Sequence, residues 1–204
     1  MRATLITGGL PKSVLIDGRE CSICWDYQTW MRFDGIRESN IGEEEKLIGM
    51  LQLCYPRIPE NIEEAVNKML WFYRCGEEEE KEEKRQRYQR RTSKEPAFSF
   101  SQDEPYIYAA FLEEYGIDLT QTQDLHWWKF MSLFESLGED TKMSKIMYYR
   151  KASISGLPKE RRAFINEMKK LYQIRQNSEG RRLTLEERNQ RWIDYVKERC
   201  GATA

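Results

Sequence analysis

The chain has one histidine, His126, and it stands directly before Trp127 and Trp128. An imidazole titrates near neutral pH and can act as a base. To activate a nucleophile it needs a Ser or Cys within reach and a third group to orient it. Neither a Gly-x-Ser-x-Gly elbow nor a cysteine-protease signature occurs, so His126 lacks such a partner. A histidine packed near a helix start is the simpler reading. Cys21 and Cys24 form a Cys-x-x-Cys pair. If both lie in a strand, residues three apart point to opposite faces, and no second pair or nearby histidine completes a zinc set. Glu113 with Glu114, and Glu186 with Glu187, are adjacent on expected helices and point apart, whereas acid–base chemistry needs convergent carboxylates. Gly8-Gly9 reads as a turn. No phosphate loop, dinucleotide fingerprint or His-Glu-x-x-His pattern is present. The reading is a non-enzymatic protein with no cofactor and no metal.

The elements that carry these residues are mostly helices. Residues 4–25 predict a β-hairpin: a β-branched run at 13–16, Asp17-Gly18 as the tight turn, and 19–25 as the return strand. Asp26 is a predicted N-cap for a helix with Tyr27, Trp30 and Met31 on one stripe. Residues 43–54 form the next predicted helix, stopped by Pro56 and Pro59. Asn61 and Glu64 have the spacing of a capping box, and Gly76 suits the end of that helix. Phe98 and Phe100 alternate with serines, which suits an extended segment. Asp103-Glu104-Pro105 opens a helix with Asp103 as cap. Its expected face is Ile107, Tyr108, Phe111, Leu112 and Tyr115, and Gly116 follows it. Asp124 or Thr122 is the expected cap of the next helix, where Trp127, Phe130, Met131 and Phe134 face inward. Together these two helices predict a helical hairpin. Further helices are expected at 139–150 and 159–176, and from Thr184 to Cys200.

Four regions follow: 1–76, hairpin plus helices; 77–97, a charged arm or linker; 98–176, the central helical region; and 177–204, a C-terminal helix. The fold class is mainly α, an N-terminal β-hairpin followed by a helical bundle with the charged arm inserted. Aromatic residues make up 12% of the chain, too many for disorder throughout. Residues 77–95 are almost wholly charged, acids first and bases after, an order that favours i, i+4 pairing on a solvated helix. The chain carries a formal net charge of -1, which argues against binding polyanions by bulk charge. Bases concentrate after Gly138, so nucleic-acid binding is the third-ranked reading, disfavoured because no aromatic–basic interleaving marks a strand-binding groove. No run approaches a membrane span, and none near the start has the length of a secretory apolar region. Five cysteines, an odd number, fit free thiols in a reducing compartment.

One stretch reaches further. Phe98-x-Phe100-x-x-Asp103-x-x-Tyr106-Ile107-x-x-Ala110-Phe111, then Tyr115-Gly116-Ile117-Asp118-Leu119, then His126-Trp127-Trp128-x-Phe130-x-x-Leu133, resembles the bacteriophage "gp fifteen" proteins of siphophages or prophages of Gram-positive bacteria. The 10–18 segment and the 141–150 segment fit as well, so the likeness covers Leu10 to about Tyr172. The resemblance implies a tail assembly chaperone in the bacterial host cytoplasm. It would bind the tape measure protein before the tail tube polymerises, with the major tail protein as a second partner. It carries no catalytic residues, and a small-molecule substrate and a membrane are not expected. A homo-oligomer is compatible with it. The ranked alternative is a structural component of the tail. A holdase needs some exposed apolar surface bordered by charge. The aromatic residues Tyr106, Tyr108, Phe111, His126, Trp127 and Trp128 are the candidates for partner binding. Helical spacing assigns most of them to the core.

Overall fold

The computed structural model describes residue 6 and residues 9–77 and 96–175. Most of the charged 77–95 run and the helix expected after Thr184 lie outside the described residues. The described residues through Ile174 belong to one compact unit, Met1–Ile174. It is mainly helical with an N-terminal β-hairpin. Strand β1 (Ser13–Ile16) pairs antiparallel with β2 (Arg19–Ser22), Val14 opposite Cys21. Asp17 and Gly18 have φ of 49° and 73°, the paired left-handed conformations of a two-residue turn. β1 alternates as expected of a half-buried strand: Val14 and Ile16 are buried and Leu15 is exposed.

Helices α1 (Tyr27–Glu38), α2 (Glu43–Cys54) and α3 (Ile62–Tyr73) come next. After the undescribed stretch come α4 (Glu104–Tyr115), α5 (Trp127–Glu135), α6 (Lys142–Lys151) and α7 (Lys159–Leu171). Their starts follow local chemistry. Asp26 caps α1 by accepting from the Thr29 N–H at 2.8 Å. Asn61 caps α3 through the Glu64 N–H at 3.1 Å. The expected reciprocal half of that box is replaced by a longer-range contact. Glu64 Oε2 accepts from the Asp17 N–H at 2.7 Å, and Asn61 Nδ2 donates to Asp17 Oδ1, so the hairpin turn is tied to the start of α3.

Neighbours in space form an unbroken series: hairpin on α3, α3 on α2, α2 on α1, α1 on α5, α5 on α4, α4 on α6 and α6 on α7. The core is aromatic at its centre. Trp30 of α1 stacks on Phe72 of α3 with centroids 4.9 Å apart and lies 6.4 Å from Trp127 of α5. Phe130 stacks on Phe111 at 4.9 Å, which carries the packing across to α4. Each such ring removed from water contributes about 1.5–3 kcal/mol.

Three expectations are corrected in detail. Phe98 and Phe100 lie in an irregular turn, because the Ser99 N–H is held by Asp103. The expected faces of α2 and α4 included Ile48 and Leu112, which are 54% and 45% exposed, while Ala110 points inward. α6 begins at Lys142, with Thr141 Oγ1 accepting from the Ser144 N–H, and α7 ends at Leu171.

Candidate partner-binding site

His126 is the N-cap of α5, the place the sequence offered to Asp124 or Thr122. Its Nδ1 accepts from the Trp128 N–H at 3.1 Å, and its Nε2 lies 2.8 Å from the Pro11 carbonyl. A carbonyl only accepts, so these two partners fix the neutral Nε2–H tautomer. The ring stacks on Trp25 at 5.8 Å, and Lys12 Nζ sits 4.2 Å above the other aromatic system. An antiparallel bridge pairs His126 with Asp26: the Tyr27 N–H donates to the Leu125 carbonyl and the Trp127 N–H to the Trp25 carbonyl. Burial holds the imidazole pKa below its ordinary value, and Lys129 and Lys12 push the same way, against the bond to Pro11. Both nitrogens are therefore committed to holding the start of the chain against α5.

Trp127 and Trp128 close the end of α3. The Trp127 indole N–H donates to the Tyr73 carbonyl and that of Trp128 to the Phe72 carbonyl, each at 2.9 Å. The last carbonyls of a helix have no partner within it; here the distant α5 supplies a donor to each of these two, and the Phe72 carbonyl also accepts from the Cys75 N–H. Phe111 is fully enclosed between Phe130 and Tyr115. Of the six residues expected to meet a partner, Phe111, His126, Trp127 and Trp128 thus lie in the interior. Tyr106 and Tyr108 are half-buried at the surface.

Tyr108 lines an open groove of about 680 Å³ between α1 and α4. Tyr27, Met31, Pro105, Tyr108 and Leu119 supply its apolar walls, with Arg32 at its edge. The Tyr27 hydroxyl donates to the Leu119 carbonyl, which holds the 117–120 loop at one end. The sequence placed Met31 and Tyr27 on the core stripe of α1, so their part in the groove wall was not legible locally. It depends on α4 standing off from α1 at this position.

Two buried ionic groups also escaped the sequence. Asp103 does not cap α4 with its side chain; it forms a two-pronged pair with Arg150 of α6, at 2.6 and 2.8 Å. Arg150 donates further to the Ala97 and Tyr172 carbonyls, at 3.0 and 2.6 Å. In α1, buried Asp34 accepts from Arg37 and from the Tyr73 hydroxyl at 2.6 Å. Burial and the carboxylate push the Tyr73 pKa far up, so its hydroxyl stays protonated.

The described cysteines Cys21, Cys24, Cys54 and Cys75 form no disulfide with one another. β2 ends at Ser22, so Cys24 lies beyond the strand and the opposite-face argument does not apply to it. Instead its N–H donates to the Cys54 carbonyl at 2.8 Å. Burial raises the Cys24 and Cys54 thiols above their ordinary pKa, which disfavours the reactive thiolate. Among the described residues no group of three or more His, Cys, Asp or Glu side chains is placed to hold a metal ion. None of the described helices is long and apolar enough to cross a membrane.

The described residues form a small helical bundle with an N-terminal hairpin and an open, mainly apolar groove between α1 and α4. Residues 6–174 match the family model described as Bacteriophage Gp15 protein, and the chain belongs to that family. No curated protein and no solved structure matches the chain.

Proposed function

We propose that this protein is a phage tail assembly chaperone that binds the tape measure protein during tail morphogenesis, without catalysis. Membership in a bacteriophage family supplies the setting. The observation that carries the reading is the α1–α4 groove, a mainly apolar cleft whose lining includes the exposed charged residues Arg32 and Glu104. A cleft of this kind takes the apolar face of a partner helix. A tape measure protein is a long helical chain that needs its apolar face covered until tube subunits surround it. Action in the bacterial host cytoplasm, with the major tail protein displacing the chaperone, belongs to the same proposal.

Co-expression tests it. A tape measure fragment should become soluble and co-purify with the protein, and Met31→Asp or Tyr108→Asp should reduce the yield of complex. Absence of co-purification with fragments spanning the whole tape measure chain overturns the reading. Mass spectrometry of purified particles separates chaperone from tail component, since a chaperone is absent from the virion.

A further inference from the structure

A second surface lies across α4, α6 and α7. Tyr106 meets Tyr172 edge-on at 6.3 Å, Tyr172 stacks on Tyr149 at 6.4 Å, and Tyr149 meets Phe164 edge-on at 5.8 Å. Tyr148 packs against Tyr149 at the border of this row. The row is open to solvent on its outer side: Tyr148 is 55% exposed, Phe164 39% and Leu171 64%. The helices dictate this. α6 turns Met143, Ile146 and Arg150 inward, which leaves Lys145 and Tyr148 outside. α7 buries Ile165, and Phe164 and Leu171, seven positions apart, share an outer face.

Cations border the rings. Lys142 Nζ lies 5.0 Å from the Tyr172 centroid, and a hydrogen bond with Tyr172 is the chief cause of its raised pKa. The Arg161 guanidinium lies 5.7 Å from the Phe164 centroid. Between positions 139 and 174 the chain has nine Lys or Arg against four acids, Glu139, Asp140, Glu160 and Glu167. Arg150 pairs with Asp103 in the interior, and Lys145 meets Asp140 at 3.4 Å on the surface.

We propose that this strip is a docking surface for an acidic amphipathic helix of a partner protein. Exposed apolar groups at a seven-residue spacing match the stripe of a second helix laid alongside. The surrounding excess of positive charge selects a partner with acidic flanks and speeds its approach. A single-stranded nucleic acid fits less well. Base stacking needs open ring faces, and here the faces of Tyr172 and Phe164 are taken by Tyr149, Lys142 and Arg161. The surface is separate from the groove and stands apart from the chaperone reading.

The full-length protein is titrated against two synthetic helical peptides and an oligothymidylate, with fluorescence anisotropy as readout. The peptides share one Leu/Phe stripe and differ only in the polar face, Glu in one and Lys in the other. The Glu peptide should bind, more weakly as salt rises. Tyr148→Ser with Leu171→Ser, and separately Lys145→Glu with Lys170→Glu, should each weaken it by about tenfold or more, equivalent to about 1.4 kcal/mol. All four side chains are exposed, so the circular dichroism spectrum and urea midpoint should hold. Equal binding of the Lys peptide, tighter binding of the oligonucleotide, or variants that bind as well as the parent each overturn the proposal. Self-association that is abolished by changing the glutamates of residues 77–83 to glutamine also overturns it, by assigning the strip to a second copy.

Discussion

His126 joins the segment before β1 to the start of α5 through both ring nitrogens, and this gives the fold a pH dependence of known sign. The folded pKa is depressed, so the unfolded chain binds the proton more readily. Stability is full above about pH 6.5 and falls as pH drops from there toward the folded pKa, by at most about 1.4 kcal/mol per pH unit for one proton. Urea unfolding between pH 5.5 and 8, measured at about four points, should show this slope in the parent and a flatter one in His126→Gln. The chain has no other histidine to confuse the assignment. Asp103 and Arg150 set the second residue-scale expectation. Arg150→Met leaves the buried Asp103 carboxylate without its cation, with the Ser99 N–H still donating to it, and should cost roughly 3–5 kcal/mol in urea unfolding. Asp103→Leu in that background should recover part of the loss, because it removes the orphaned charge. Neither role was legible in the sequence. Asp103 before Glu-Pro carries every local mark of a cap, and the Ser99 N–H together with Arg150, forty-seven positions later on α6, redirects it.

At the scale of elements, the end of α3 is held by α5. Trp128→Phe keeps an aromatic side chain but loses the outer part of the indole and its donor to the Phe72 carbonyl, and should cost about 1–3 kcal/mol. Gly76, at φ +81°, lies so close that an added Cβ would stand 2.8 Å from the Trp128 ring. Gly76→Ala should therefore destabilise through both its backbone and this contact. In the Trp128→Phe background the contact part should disappear, so the double variant is less unstable than the sum of the two singles. Thermal or urea midpoints of the four proteins decide it. The hairpin, α2, and the starts of α1 and α3 were legible because their signals are local: Asp17-Gly18, Asp26, Asn61 and the two prolines after α2. What caps α5 was not, since imidazole is not among the usual capping side chains. Which side of α4 faces inward was also hidden. Ala110 carries little apolar signal, and Leu112 carries a strong one on the exposed side.

Across the whole molecule, the segments before and after the charged run share one interior. α1 packs on α5, and Trp30 lies against Trp127. Chains 1–77 and 96–204 expressed together should therefore co-purify as a folded complex, and Trp127→Ala should abolish their association. Independent folding of the first chain, with its amides as protected as in the intact protein, would contradict this. The sequence divided these segments at the charged run because composition changes there, while their union rests on ring contacts between residues more than fifty positions apart. The division of the aromatic candidates has the same origin. Helical spacing distinguishes a face from its opposite, but it does not say whether a neighbour covers that face, as it covers Trp127 and leaves Tyr108 beside a groove.

The dependence of α3 on two tryptophans downstream has a consequence in time. Tyr73 and Trp127 are separated by 54 positions. At a synthesis rate of about 5–20 residues per second, the ribosome needs roughly 3 to 11 seconds to supply the second after the first. For that interval the nascent chain carries Trp30, Phe72 and Tyr73 without the rings that enclose them. A pause engineered between codons 77 and 96 should lengthen the exposed interval and raise the fraction of newly made protein lost to aggregation.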